Sequence, residues 1–454
     1  MSVERGYWLG THGGISGYDR QLKTQNSTLA APQARSLSEI TLLSAAERLK
    51  GRPKLCSDCG ICSSSYRPLL PQVCVFVENK SEQIERTLHG RNRNDGDELL
   101  FGIYRSIHVI RMAKQNPEAQ WSGIVTGLGA LLLERGMVDG VITTMAVPGT
   151  HHAPLPILAR TPAEVIASAR NKPCISPNLD VLDQVRESGV KRLAFIGTSC
   201  QVHALRAMQD QLGLEKLYII GIPCTDNVAY PDAVRFLKVV SKSPETVVHH
   251  EFMQDFKVWM RHADGHIEKV NYVDLDVSAL GGERGIFPAA CLSCFDYQNT
   301  LSDITIGYLA APLPPTERWQ WTMVRTEAGA ELFNLIRPFL ELGAFTQRGN
   351  RLLGVSAYVR MLKHPRRRPP FPIRKLIAWM QRNRGPRGME FARAVIEMKL
   401  LRNLQYVRDE HSRMEQRIVP GHVYRALAQY AQVYAEEFGR PLQNGSRSTS
   451  NTAV

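Results

Sequence analysis

Apolar and polar positions along the chain fall into two rhythms. From Gly123 to Glu134 apolar residues recur at helical spacing, and Val138 to Val147 is a β-branched run. Thr161-Pro162-Ala163-Glu164 reads as a capping box with Pro at the first helical position, opening a helix to about Ala169. Leu179 to Glu187 is amphipathic, and Lys191 to Ile196 is a short apolar strand ending at Gly197. A helix over Gln201 to Leu212, a strand over Leu217 to Ile222 and a helix over Pro231 to Val240 follow. Strands alternating with helices of this length predict an α/β domain with a largely parallel sheet.

Beyond Val240 the period shortens. Val247 to Met253 and Lys257 to His262 are extended, Ala263-Asp264-Gly265 is a turn, and His266 to Val273 returns, as in an antiparallel hairpin. Asp303 to Tyr308 is a further strand; Glu327 to Leu342 is helical, followed by a basic, Pro-rich stretch (Pro365 to Pro372) and more helix. Toward the N-terminus only Leu37 to Leu49 is helical before regular structure begins near Asp97. The expected division is an N-terminal segment (1–95) with a Cys-, Ser- and Pro-rich loop at 51–75, an α/β domain (96–315), a helical basic C-terminal region (316–442) and a disordered tail (443–454).

Composition excludes several classes. With 454 residues, 43% hydrophobic and 22% charged, the chain is neither disordered nor a disulfide-stapled miniprotein. The best apolar run, Ile124 to Leu133, falls short of the roughly 18 residues a membrane span needs. Met1 to Gly14 lacks the layout of a secretory signal, so a cytoplasmic protein is expected. The net charge of +13 is concentrated: Arg348 to Arg408 holds sixteen Lys and Arg against Glu390 and Glu397 alone. Such a field suits an acidic protein, a membrane surface or nucleic acid, unless it is simply solvated. No nucleic-acid recognition motif accompanies it. Ile373 to Met380, amphipathic and flanked by arginines, suits an anionic membrane.

The nine cysteines change the picture most. Cys56, Cys59 and Cys62 form C-x-x-C-x-x-C, followed by Cys74. Three thiolates at this spacing converge on one face of a cubane, with a remote fourth ligand; structural zinc, usually held by two C-x-x-C pairs, is the rival. Cys74 lies twelve residues on and is followed by Val75, not Pro. Cys200 and Cys224 each follow a strand, so a parallel sheet places them at one edge, where Cys291 and Cys294 can join them to hold a second cluster. Buried apolar thiols are the alternative for that pair, and Cys174 reads as packing. Two clusters imply single-electron transport, which a flavin converts to two-electron chemistry. No G-x-G-x-x-G fingerprint is present, but Trp121 to Thr126 opens a helix whose free N–H groups suit an anion such as a flavin phosphate.

The ordered series Cys56-Ser57-Asp58-Cys59-Gly60-Ile61-Cys62, His89-Gly90-Arg91, Trp121 to Thr126, Asn171-Lys172-Pro173, Ser176 to Leu179, Cys200-Gln201, Gly221 to Cys224, Glu251 to Asp255 and Cys291 to Tyr297 resembles one group closely. It is similar to the chlorophyll-biosynthesis branch of the deazaflavin-reducing hydrogenase beta-subunit family, which holds ferredoxin-dependent divinyl (proto)chlorophyllide 8-vinyl reductases and 7-hydroxymethyl chlorophyll a reductases. The resemblance runs from about Lys54 to Glu331. It implies FAD, two 4Fe–4S clusters and electrons from reduced ferredoxin. One cluster would take Cys56, Cys59, Cys62 and Cys74, the other Cys200, Cys224, Cys291 and Cys294, with the fourth ligands and swaps between clusters open. The flavin would sit near Ser122, Gly123, Val125 and Thr126 and near Asn171, Lys172 and Ser176. His89, His250, Glu251 and Asp255 are the proton-donor candidates, each with a structural alternative; Trp319 and Trp321 are either pigment-stacking or core.

The bacterial-looking basic tail, and the lack of a transit-peptide composition, favour reduction of the C8-vinyl group of divinyl (proto)chlorophyllide. The alternatives are 7-hydroxymethyl chlorophyll a reduction and an electron-transfer subunit that reduces a deazaflavin. The expected location is cytoplasmic, peripheral to a photosynthetic membrane if the basic segment binds lipid.

Overall fold

The structure is a computed structural model that describes residues 55–442, apart from 116–118, 120, 151, 281–284, 313–316 and 363–368. The helix expected at Leu37 to Leu49 and the tail from Gln443 lie outside the described residues.

The main sheet begins with β1 (Ser106–Met112), β2 (Gly140–Ala146), β3 (Pro154–Ala159), β4 (Arg192–Gly197) and β5 (Lys216–Gly221). The chain then forms β6 (Val247–Met253), β7 (Lys257–His262) and β8 (Ile267–Asn271), a separate antiparallel sheet that is a three-stranded meander rather than a lone hairpin. It returns to the main sheet with β9 (Ile304–Gly307), β10 (Gln320–Val324) and β11 (Leu340–Gly343). The order of that eight-stranded sheet is β11-β1-β10-β9-β5-β4-β2-β3. β2, β4, β5 and β9 are parallel neighbours at the centre, and antiparallel strands extend both flanks.

Both faces of the main sheet are covered, which is why its central strands are apolar at successive positions. Ile196, Ile220 and Ile304 face one way and pack with Ile124, Leu128 and Leu132 of the Ile124–Glu134 helix. Their neighbours Phe195 and Ile219 face the other way and pack with Val202, Leu205 and Leu182. A third core joins Phe101, Trp321 and Met323 to Leu400, Leu404 and Tyr430, so the C-terminal helices share a core with the N-terminal segment and the sheet. Trp321 belongs to this core, fully buried and edge-on to Phe101.

Four features depart from the expected pattern. Ser81–His89 is already helical before Asp97. β1 and β3 form where no strand was expected; β3 opens on Pro154, which an edge strand tolerates because no partner needs the missing N–H. β10 and β11, beyond residue 316, belong to the sheet. The helix expected over Glu327 to Leu342 stops at Ile336, where Pro338 enters a tight turn that feeds β11.

Candidate functional site

The carboxyl ends of β4 and β5 set the site. β4 ends at Gly197, and Thr198 opens the Ser199–Ala207 helix through a capping box with Gln201. Cys200 is thereby fixed in the first turn. Gly221 ends β5, and the Cys224 N–H donates to the Tyr297 carbonyl (2.9 Å), tying the Cys291-to-Tyr297 turn to the same edge. From the far side, Asn403 donates to the carbonyls of Cys291 (3.0 Å) and Cys294 (2.6 Å).

The other cysteines arrive on an irregular loop. Cys56, Cys59, Cys62 and Cys74 line one cavity, closed by Leu55, Ile61, Leu70 and Phe76. The loop is keyed to the body: Leu179 N–H donates to the Cys59 carbonyl (2.9 Å). Gly60 adopts φ +109°, and a Cβ there would collide with the Asp180 backbone nitrogen. Only glycine fits that approach.

Cys200 links the two groups. Burial first, then Cys200, push the Cys59 thiol well above the ordinary range. Burial, then Cys291 and Cys200, do the same to Cys224. Burial is also the main cause that raises Cys291 to about 12 and Cys294 to about 11, with Cys200 contributing to each. These thiols are neutral at pH 7 on their own, so loading a metal releases protons. Among the described residues no three His, Cys, Asp or Glu side chains converge to hold a single metal ion. The first four thiols instead surround a cavity, and this all-sulfur donor set fits a polynuclear iron–sulfur cluster.

Beside the cysteines lies a polar corner. Gly123, at φ +84°, precedes the Ile124–Glu134 helix, whose first turn carries half-buried Val125 and Thr126. Ser122 is buried and donates to Gln320 (2.8 Å). Trp121 stacks on Tyr308 at 4.6 Å, and Arg318 donates to the Trp121 carbonyl. On the opposing loop, Ser176 donates to Asn178 (2.5 Å), and Gln201 donates to the Ser176 carbonyl (2.7 Å). Asn171 is half-buried there. Lys172 gives its N–H groups to the carbonyls of Ser168, Ala169 and Arg170, clamping the loop. Burial, then Arg170, pull its ammonium down to about 7. Burial also lowers His249, on β6, to about 4, with Arg261, Arg170, His152 and Arg318 adding to it. The ring nitrogens Trp121 Nε1, His249 Nδ1 and His250 Nδ1 are buried without a hydrogen-bond partner. The unsatisfied Trp121 ring nitrogen beside a helix N-terminus fits a polar cofactor at this corner.

The four proton-donor candidates separate. His250 is buried against Phe236 and His152, and burial lowers it to about 3. Asp255 is held by Trp259 Nε1 (3.0 Å) and the Lys257 N–H (3.2 Å) at the β6–β7 turn. Glu251 is half-buried, and after burial and Tyr297 it adds to the rise of the Tyr308 phenol. His89 lies at the opposite edge of the sheet. There it lines a cavity of about 580 Å³ with Arg91, Arg105, Arg206, Lys216 and Thr326. Sequence reasoning missed Trp121–Tyr308 stacking, Asn178 and Asn403. Nothing in the sequence ties Asn403 to cysteines about 110 residues earlier.

Known proteins share this arrangement of sequence. The family signature of the coenzyme F420 hydrogenase/dehydrogenase beta chain matches in two parts, its N-terminal part over residues 107–183 and its C-terminal part over residues 190–346. An uncharacterized protein of Nostoc sp. is 39% identical over 83% of this chain and 94% of its own length. The chloroplastic 7-hydroxymethyl chlorophyll a reductase of Oryza sativa is 40% identical over 78% of this chain and 77% of its own. A coenzyme F420 hydrogenase beta chain of Methanothermobacter thermautotrophicus is 27% identical over 54% of this chain and 85% of its own.

Proposed function

Because the chain belongs to the coenzyme F420 hydrogenase/dehydrogenase beta-subunit family, in its chlorophyll-reductase branch, we propose that it is a ferredoxin-dependent iron–sulfur flavoprotein that reduces the C8-vinyl group of divinyl (proto)chlorophyllide to ethyl. The observation that carries this reading is the gathering of the cysteines: Cys200 in the first turn after β4 and Cys224 after β5, tied to the Cys291-to-Tyr297 turn, with Cys74, Cys200 and Cys294 packed against one core.

Cys56, Cys59, Cys62 and Cys74 would hold one 4Fe–4S cluster, and Cys200, Cys224, Cys291 and Cys294 the other. The corner around Trp121 to Thr126 and Asn171 to Ser176 would hold FAD. When bound, the clusters carry single electrons and the flavin joins that supply to a two-electron reduction. The residues of the chain do the rest. Lys172 fixes the loop, Gln201 ties it to the cysteine-bearing helix, and Leu55 and Phe76 keep water from the first cysteine group. Adding two electrons and two protons across a vinyl group requires a proton source at the corner. His250 is neutral and enclosed, Asp255 is bound at its turn, and His89 is at the wrong edge. Glu251, half-buried on β6, is the candidate left for the donor role.

Anaerobic incubation of protein reconstituted with iron, sulfide and FAD, with reduced ferredoxin and divinyl chlorophyllide, tests the assignment. A blue shift of the Soret band is expected. A second reading, 7-hydroxymethyl chlorophyll a reduction, draws on the rice relative. Turnover of that pigment, with divinyl chlorophyllide unchanged, replaces the first reading by the second.

A further inference from the structure

We propose that the Phe371–Arg384 helix is a peripheral docking element that lays its outer face into the headgroup boundary of an anionic lipid bilayer. An amphipathic helix on a protein surface normally turns its apolar stripe inward. This one does the reverse. None of its fourteen residues is buried. Phe371, Ile373, Leu376, Trp379 and Met380 are between 49% and 58% exposed. Ile373, Leu376 and Met380 recur at i, i+3 and i+7, so they form one face. The helix is attached by the side that carries half-buried Arg374, Ile377, Ala378 and Gln381, and Arg374 pairs with Asp274 (2.7 Å) next to β8. At its C-terminal end a Cβ on Gly385 would press on the Phe256 ring at 2.7 Å, so the chain leaves the helix tightly against the meander.

The charges around that stripe choose the occupant. No Asp or Glu occurs between Glu341 and Glu390. Lys375, Arg382 and Arg384 are exposed, and Lys375 sits over the Phe371 ring at 4.6 Å. Cations bordering a row of apolar and aromatic side chains match the two layers of a lipid interface, where the rings sit at headgroup depth and the ammonium and guanidinium groups meet phosphate. A second copy would bring two basic surfaces together and repel. An acidic protein would satisfy the cations but leave the Ile373, Leu376 and Met380 face uncovered. Among the described residues no helix is long and apolar enough to cross a membrane, so docking by this helix is peripheral. Docking of this kind does not depend on which pigment is reduced.

Vesicle flotation of the full chain at physiological salt tests it. The protein is expected to float with phosphatidylglycerol–phosphatidylcholine vesicles and to remain largely unbound with phosphatidylcholine alone. Ile373→Glu/Leu376→Glu/Met380→Glu should weaken flotation at least about tenfold, and Lys375→Glu/Arg382→Glu/Arg384→Glu should do likewise. Both triple variants alter exposed positions only, so thermal unfolding should match the parent; a variant that unfolds is replaced by single Leu376→Glu and Met380→Glu changes. Vesicles should also shift a component of Trp emission to the blue, absent in Trp379→Phe. Failure to float on anionic vesicles, or flotation of both triple variants equal to the parent's, overturns the proposal. So does self-association in sedimentation equilibrium, or capture of an acidic ferredoxin, that the triple variants abolish while vesicles stay unbound.

Discussion

Two consecutive helices, Phe371–Arg384 and Met389–Glu410, are both rich in Lys and Arg, yet they use their charge in opposite ways. On the second helix the cations turn inward to acids, most of them supplied from elsewhere in the chain. Arg393 pairs with Asp97 (2.8 Å) and Glu390 (2.7 Å), Lys399 with Asp226 (3.2 Å), Arg402 with Asp226 (2.8 Å), and Arg408 with Glu415 (2.9 Å). On the first helix Arg374 has such an acid; Lys375, Arg382 and Arg384 stand in solvent beside apolar neighbours. A run of positive charge in sequence therefore mixes internal struts with an outward-facing surface, and only the fold separates them.

The contrast can be broken from the inside with the largest effect. Asp226→Asn leaves Lys399 and Arg402 without their carboxylate in a nearly dry setting, and should cost about 3–5 kcal/mol in chemical denaturation. Lys399 also donates to the Thr225 carbonyl, next to Cys224, so that variant should bind less iron per chain as well.

Glu397→Leu removes the acceptor for Tyr430 Oη (2.6 Å), Gln429 Nε2 (2.8 Å) and Arg351 Nε (3.1 Å). A loss of about 2–3 kcal/mol is expected by the same measurement.

A surface pair calibrates the lower end. Arg192 and neighbouring backbone N–H groups lower Asp139 to about 2. Its contribution is present above the ordinary Asp value of 3.8 and is lost as pH falls toward about 2. Because the pair is solvated, Asp139→Asn should cost only ~0.5 kcal/mol at pH 7, and the difference from the parent should vanish by about pH 2. Smallest of all, Arg382→Gln/Arg384→Gln should leave unfolding within about 0.5 kcal/mol of the parent, while lowering attachment to anionic vesicles.

Sequence reading went furthest where one local rule decides the outcome. The apolar runs of β4 and β5 and the capping box at Thr161 need no distant partner, and each matches an element. The expectation that strand ends gather Cys200 and Cys224 rests on parallel order alone, which the in-register pairing of β4 with β5 supplies. It failed where long-range packing overrides local pattern. β10 carries Gln320 and Thr322 amid apolar residues, and only burial on both faces makes it a strand. His89 shares a motif with Arg91, but the Ser81–His89 helix carries it to the far edge of the sheet. Lys172, which the resemblance puts near the flavin, gives its donors to the carbonyls of its own loop, a clamp no local pattern shows.

The contact between Gly60 and the backbone of Pro177 to Asp180 has a consequence for anyone who would transplant the first four cysteines. Their loop has no scaffold of its own: half of its mould is a turn more than a hundred positions downstream. It is not a portable cassette: cut from the body, it would lose the backbone against which Gly60 is seated.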